Sequence, residues 1–161
     1  MVTNPTPADH LAIVTRAVFQ TGLSWAMLDA KWALFCEAFD GFAVAKVAAY
    51  GEADVARIMA APGMIRSARK IGGTIRNAQA LLEVEREFGS IRAYQTSAGY
   101  DTLARDIARR FAYVGDANAY YWLFRTGAPV PRFERWIRGQ ERDHPRIREM
   151  VAFGRAARAA G

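Results

Sequence analysis

A turn between two predicted helices carries the first pattern of residues that could bind an anion. Residues 110–115, RFAYVG, interrupt a helical repeat of apolar side chains and end in Gly115. Such a turn presents the backbone N–H groups of Asp116 and the residues after it at a helix N-terminus, where the helix dipole also favours negative charge. Arg109 and Arg110 precede the turn and could reach neighbouring phosphates. A glycine between helices is also a common helix cap, so the pattern alone leaves both interpretations open.

A second group of basic residues lies at the start of the longest predicted helix. Arg66, Arg69, Lys70 and Arg76 could follow the phosphates of a nucleic-acid backbone, although each could equally be a charge on a solvated helix face. The candidate phosphate contacts are therefore Arg66, Arg69, Lys70, Arg110, Gly115 and Asp116.

The elements that must position these residues are all predicted to be helices. Apolar residues recur three and four positions apart, and strand-like alternation is missing, which favours an all-α fold of packed helices. The predicted helices cover about 7–19, 24–39, 44–50, 52–60, 71–88, 91–96, 101–109, 116–124 and 133–138, with an Arg/Ala-rich helix after His144-Pro145. Gly22 is expected to end the first helix and Ser24 to cap the second. The pair of helices around the turn at 110–115 is a helix-hairpin-helix candidate.

Composition sets the broad class of protein. The chain has 161 residues, 52% of them hydrophobic, and we expect a single domain over residues 1–161 that acts as a monomer. A net charge of +6 permits a polyanionic partner without proving one. Cys36 is the only cysteine, which excludes an intramolecular disulfide. No apolar run approaches the roughly 20 residues of a membrane span, and we expect a cytoplasmic protein with no membrane association.

Two stretches of the sequence resemble a known family. Residues 19–25, FQTGLSW, and residues 62–81, PGMIRSARKIGGTIRNAQAL, are similar to the most characteristic segments of the 3-methyladenine DNA glycosylase I family. The resemblance extends over roughly residues 12–127. It implies a helix-hairpin-helix glycosylase fold that binds double-stranded DNA, flips an alkylated adenine out of the helix and hydrolyses its bond to the sugar.

The resemblance suggests specific roles for the loop after the first predicted helix. Leu23 at its tip, with Gly22, could fill the gap left by an extruded base, although a helix-linking leucine could also be simply buried. Trp25 could stack on a flipped cationic purine. The candidate base-binding residues are Phe19, Gln20, Ser24 and Trp25.

The chain also departs from the family pattern. The family holds zinc with Cys and His ligands near both ends, whereas His10 and His144 have no second pair of ligands here, so we expect neither a metal nor another cofactor. The family places a base-recognising carboxylate eight residues before the Trp of its GLSW motif. That position is Ala17, which puts activity or substrate choice in question.

A comparison with the wider superfamily, exemplified by endonuclease III, suggests a catalytic carboxylate about twenty residues beyond the hairpin glycine. With one gap near Gly127, Glu134 falls at that place and could stabilise the developing positive charge on the sugar. Glu134 could instead only pair with Arg138 one helical turn away. Bifunctional relatives have a lysine nucleophile just after the hairpin. Here Ala117 lies near that place and the lysine is missing, so no lyase activity is expected.

The leading hypothesis is a monofunctional DNA glycosylase that excises alkylated purines in base-excision repair. It predicts action on purines whose sugar bond is weakened by positive charge. The alternative is a non-catalytic helix-hairpin-helix DNA-binding protein that has lost the chemistry. A third interpretation is a helical protein-interaction domain without a DNA role.

Overall fold

The computed structural model describes residues 1–138 together with Ala152 and Ala156, both of which are helical. Within that part of the chain the backbone forms helices and no strand, so the prediction of an all-α fold is confirmed. The α-helices are α1 (Pro7–Gln20), α2 (Trp25–Ala38), α3 (Val44–Ala48), α4 (Glu52–Ala60), α5 (Ala68–Phe88), α6 (Ile91–Gln95), α7 (Tyr100–Arg110), α8 (Asp116–Arg125) and α9 (Phe133–Arg138), with a 3-10 helix at Asp40–Phe42. Apart from Ala152 and Ala156, the predicted Arg/Ala-rich helix lies outside the described residues. In residues 1–138, no helix combines the length and the apolar character of a membrane span.

Side-chain caps fix where several helices begin. At α1, the Thr6 hydroxyl accepts a hydrogen bond from the Asp9 amide at 3.2 Å, and the Asp9 carboxylate accepts one from the Thr6 amide at 2.8 Å. Ser24 caps α2 as predicted, and Ser67 caps α5 by accepting from the Lys70 amide at 3.3 Å. Each cap contributes about 0.5–2 kcal/mol to stability.

The structure corrects two details of the predicted elements. The apolar repeat places the start of α5 near Ile71, whereas the Ser67 cap starts the helix at Ala68, so Arg69 and Lys70 lie in its first turn. The 3-10 helix Asp40–Phe42 is not predicted from the sequence, because it depends on a left-handed backbone at Gly41, where φ is +65°.

The core is built around α1, which packs against both α5 and α8. Aromatic rings of α2 and the 3-10 helix stack on one another, with centroids 5.3 Å apart for Trp32 and Phe42 and 5.6 Å apart for Phe39 and Phe42. Phe19 of α1 meets Phe35 edge to face at 4.8 Å. Full burial of a large apolar side chain contributes on the order of 1.5–3 kcal/mol, so this stack fixes α2 against α1.

Helices α7 and α8 pack together and are joined by residues 111–115, which we call the hairpin turn. Phe111 and Val114 of this turn are buried, whereas Tyr113 is exposed. On the other side, α9 covers α8, where the rings of Trp136 and Tyr120 stack with centroids 4.3 Å apart. The predicted pair of helices with an intervening turn is therefore present, and its tip projects from the core.

Candidate nucleic-acid interface

The hairpin turn is fixed to α5 by one buried side chain. The Asn77 side-chain amide donates to the Ala112 carbonyl at 3.1 Å, and its oxygen accepts from the Ala112 amide at 2.6 Å. Asn77 has no solvent exposure. A buried two-point bond of this kind holds the turn in a single position relative to α5. Asn77 could not be identified from the sequence, since an asparagine inside a helix gives no signal of a distant backbone partner.

Gly115 leaves the first turn of α8 open. It is the N-cap residue of α8 and offers no side-chain cap to the amides that follow. Its φ of −80° is one that any residue adopts, and a Cβ added there would meet no atom within 4 Å. The backbone conformation therefore does not require glycine at this position. What glycine provides is open space above the backbone amides of α8.

The carboxylate of Asp116 is used inside the protein. It accepts a hydrogen bond from the Tyr100 hydroxyl at 2.8 Å and another from the Trp136 indole at 3.1 Å. This contact ties α7, α8 and α9 together. Only the backbone amide of Asp116 therefore fits the predicted contact with a phosphate.

The basic residues at the start of α5 lie beside the hairpin turn. Arg66 and Arg69 are exposed, and Lys70 is half-buried. The Lys70 ammonium donates to the Thr21 carbonyl at 2.6 Å, which joins α5 to the loop that follows α1. Lys70 thus has a structural contact in addition to its predicted one with phosphate.

A pocket of about 430 Å³ lies where these elements meet. Its lining comes from α1 and the following loop (Val18 and Thr21), the start of α5 (Ser67, Arg69 and Lys70), and the hairpin turn (Tyr113 and Gly115). The structure therefore brings together three of the segments that the sequence singles out, and their shared surface carries positive side chains and two helix N-termini.

Arg110 has a different environment from the one predicted. Its guanidinium donates to both carboxylate oxygens of Glu87, at 2.7 and 3.0 Å, and to Asp106 at 2.7 Å. Arg109 also pairs with Asp106. The hydrogen bonds that Arg110 donates to Glu87 and, with a smaller effect, to Asp106 raise the pKa of Arg110 above its usual value. Because these carboxylates occupy the guanidinium, we assign Arg110 to the joint between α5 and α7 in place of the predicted phosphate contact.

The loop at residues 20–24 is a tight turn with an exposed tip. The Leu23 amide donates to the Gln20 carbonyl at 2.9 Å, and the Gln20 side chain donates to the Leu23 carbonyl at 3.4 Å. Gly22 has a φ of +96°, the left-handed conformation that glycine adopts without strain. Leu23 is half-buried, so its burial does not decide between a wedge for an extruded base and a simply buried leucine. Ser24 uses its hydroxyl to cap α2, so its predicted contact with a base competes with that hydrogen bond.

Trp25 lies behind this loop with 4% of its surface exposed. Its ring packs on Tyr121 of α8, with centroids 5.4 Å apart, and the Arg16 guanidinium lies 6.0 Å from it. Arg16 also forms an ion pair with Asp29. In this conformation the indole faces protein, so a base could stack on it only if a neighbour moved.

Arg16 and Arg125 bring positive charge to the region around Trp25, where Asp29 pairs with Arg16. Burial lowers the pKa of Arg16, and the nearby charge of Arg125 lowers it further. Burial also raises the pKa of the Tyr121 hydroxyl. Ala17 is 1% exposed and its side chain is only a methyl group. Arg16 and Tyr121 could not be identified from the sequence, because neither belongs to a recognisable motif.

Phe19 and Glu134, two further predicted site residues, lie in different environments. Phe19 has no exposed surface and packs in the core, which argues for a supporting role rather than contact with a base. Glu134 is an exposed residue of α9, which packs on α8 through Tyr120, whereas Trp25 contacts α8 through Tyr121. Adjacent residues of a helix point about 100° apart. The ring contacts of α9 and of Trp25 therefore fall on different residues of α8, and the catalytic role of Glu134 stays a prediction.

His10 is buried and neutral. Its Nδ1 accepts a hydrogen bond from the Trp122 indole at 3.0 Å, so this nitrogen is not available to a metal. Burial, with a smaller effect from Arg92, lowers the pKa of His10 from 6.5 to about 4. In residues 1–138 no group of three or more His, Cys, Asp or Glu side chains could hold a metal ion, and His144 lies outside the described residues. The expected absence of zinc stays a prediction.

The low pKa of His10 predicts a loss of stability in acid. The unfolded chain takes up a proton near pH 6.5 and the folded one only near pH 4. Stability from this residue is therefore complete above pH 6.5 and falls as the pH drops from 6.5 towards 4, by about 3 kcal/mol in total. Urea unfolding at several pH values would measure it. His10→Gln keeps an acceptor for Trp122 but does not titrate, and an equally steep pH dependence in that variant would contradict the assignment.

Comparisons with known proteins identify the family. A model of the methyladenine glycosylase family matches residues 7–119. A solution structure of 3-methyladenine DNA glycosylase I, from a study of alkylated-base recognition, is 27% identical, covers 76% of this chain and 77% of that chain, and has a TM-score of 0.63. A crystal structure of 3-methyladenine DNA glycosylase I is 24% identical, with coverage of 76% and 79% and a TM-score of 0.64. The enzyme from Staphylococcus aureus is 21% identical, with coverage of 73% and 74% and a TM-score of 0.64. Because the family model matches most of this chain, the chain belongs to the methyladenine glycosylase family.

Proposed function

We propose that this protein is a DNA glycosylase that removes alkylated purines of the 3-methyladenine kind from duplex DNA, in base-excision repair. The observation that carries the proposal is the family match over residues 7–119, which includes the loop at 20–24, α5 and the hairpin turn. The solved relatives are named 3-methyladenine DNA glycosylase I and share the helical fold.

The proposed DNA contacts lie on the surface around the 430 Å³ pocket. Backbone amides at Gly115 and Asp116 bind one phosphate, since they lie at a helix N-terminus whose N-cap residue has no side chain. Arg66, Arg69 and Lys70 bind phosphates next to it through their positive charge. These contacts position the duplex and carry no sequence preference.

The proposed site for the base lies at the loop of residues 20–24. Gly22 and Leu23 fill the space that an extruded base leaves, because they form the tip of the turn. Trp25 stacks on the flipped base once Tyr121 or Arg16 withdraws from its face. Gln20 and Ser24 support this arrangement through the hydrogen bonds that shape the loop.

Replacement of Gly115 by valine tests the phosphate contact without disturbing the fold. A Cβ at this position meets no neighbour and φ is −80°, but valine is a poorer N-cap than glycine, so we expect a loss of stability of only about 1 kcal/mol. The branched side chain should crowd the amides of α8 and weaken duplex binding by about tenfold, the loss of one charge-assisted hydrogen bond. Fluorescence anisotropy with a labelled duplex measures this. Unchanged affinity in a folded variant would exclude the hairpin turn as an anchor.

The function itself is tested by incubating the protein with duplex DNA that has been methylated, and by identifying the bases released. We expect free 3-methyladenine and an abasic site without strand cleavage. Duplex binding with no base released would instead establish a DNA-binding protein without glycosylase chemistry. Absence of both binding and release would refute the proposal as a whole.

A further inference from the structure

Two arginines of α5 converge on one exposed tyrosine of the hairpin turn. The guanidinium carbons of Arg69 and Arg76 each lie 5.7 Å from the centroid of the Tyr113 ring. The two arginines are seven residues apart, so they lie on the same face of α5, two helical turns from each other. The Tyr113 ring is 41% exposed and stands between them. The result is a surface cluster of two positive charges held around one ring.

The backbone is arranged to place the ring there. Tyr113 has a φ of +59°, a left-handed conformation that side chains other than glycine adopt only with strain. Its carbonyl accepts a hydrogen bond from the Asn118 side chain at 3.1 Å. The ring lies directly over Gly73 of α5, where an added Cβ would be 2.7 Å from a ring carbon. A strained residue with a largely exposed ring contributes little to the core, which points to a role in binding.

Among the residues that the structure describes, no carboxylate pairs with the arginines of this cluster. Within the described residues, ion pairs form at Arg16, Lys46, Arg57, Arg109 and Arg110, and none forms at Arg69 or Arg76. Interaction with Arg69, and to a smaller extent with Arg76, lowers the pKa of Tyr113. Like charges held close together repel each other, so an anion between them would be stabilised by both.

We propose that Arg69, Tyr113 and Arg76 form a second phosphate-binding site for the DNA backbone, next to the one at the amides of α8. This inference rests on the proposed function. Arginine suits the role because its planar fork binds phosphate oxygens in pairs. Tyr113 acts as a positioning residue that holds both forks in place. Because Tyr113 lies two residues before Gly115, the two sites are adjacent on the surface and fit neighbouring phosphates of one strand.

The test is the salt dependence of binding to an undamaged duplex. Each phosphate contact contributes about 0.9 to the negative slope of log affinity against log salt concentration. We expect Arg69→Gln and Arg76→Gln each to reduce the magnitude of this slope by about 0.9, and the double variant to reduce it by about 1.8. Arg86→Gln is the matched control, because it removes an exposed arginine from the far end of the same helix and should leave the slope unchanged.

Two further variants separate the ring from the charges. Tyr113→Ala and Gly73→Ala keep both arginines, and both should lower the slope because the guanidiniums are no longer held together. Thermal unfolding of each variant establishes that it is folded. If the wild-type protein binds duplex and the double arginine variant keeps the wild-type slope, this second site and the phosphate contact proposed for Arg69 are wrong, while the proposed glycosylase activity stands. If the wild-type protein binds no duplex, both the second phosphate site and the proposed function are wrong.

Discussion

Replacement of Asn77 by alanine is expected to lower the free energy of unfolding by about 2–4 kcal/mol. The Asn77 side chain is fully buried and satisfies both the N–H and the C=O of Ala112. Alanine leaves these two backbone groups without partners in a protein interior, and each such group costs about 1–3 kcal/mol. Part of the loss is offset because alanine is the better helix former, by a few tenths of a kcal/mol.

The same change should weaken DNA binding, because Asn77 fixes the hairpin turn to α5. Urea unfolding gives the stability, and anisotropy with a duplex gives the affinity at a temperature where the variant is folded. Gln79→Ala is the matched control. Gln79 is an exposed amide on the same helix that donates to Ala48 at 3.0 Å, and its removal should cost no more than about 0.5 kcal/mol. Similar losses in the two variants would show that the buried bond to Ala112 has no special importance.

The helices could be predicted from the sequence because local signals set them. The cap at Ser24 and the apolar repeat of α2 place that helix to within one residue at its end. The start of α5 differs by three residues, because the cap at Ser67 extends the helix beyond its apolar repeat. The left-handed turn at Gly41 depends on packing between helices that follow one another, and no local pattern reports it.

The interface could be predicted only in part, because charge in a sequence does not reveal its partner. Arg69 and Arg110 have the same side chain, yet Arg110 pairs with Glu87 and Asp106 from two different helices. Arg69 instead meets the Tyr113 ring, which depends on Gly73 forty positions earlier in the chain. Contacts of this kind arise when α5 packs against the α7–α8 pair. Distances along the chain do not contain that information.

The contacts of Trp25 also could not be predicted from the sequence. A tryptophan after an exposed loop is a reasonable candidate for stacking on a base, and the sequence cannot show that Tyr121 and Arg16 already cover it. The family position of a carboxylate is occupied by Ala17, and Trp25 lies against Tyr121 and against Arg16, which pairs with Asp29. We expect this environment to set which bases are released.

Release of 3-methyladenine from duplex DNA is expected to be at least about 100-fold faster than release of hypoxanthine. A neutral purine must be protonated as it leaves, and a positioned general acid typically contributes about 10²–10⁴ to such a rate. Among the described side chains around Trp25, Arg16 is a guanidinium, Tyr121 has a raised pKa, and Ala17 cannot donate. A cationic purine already carries its positive charge, so extrusion and stacking can suffice for it.

The selectivity should appear in the rate of bond cleavage and not in affinity. The positive charges of Arg16 and Arg125 offset part of the attraction between a cationic base and the Trp25 ring, which is worth about 0.5–2 kcal/mol. Single-turnover excision with excess protein gives the cleavage rate, and anisotropy gives the affinity for the same two duplexes. Rates are corrected for spontaneous base loss in samples without protein. If hypoxanthine were released within tenfold of the rate for 3-methyladenine, a proton donor would have to act on the leaving base, and the mechanism argued from Ala17 and Trp25 would be wrong.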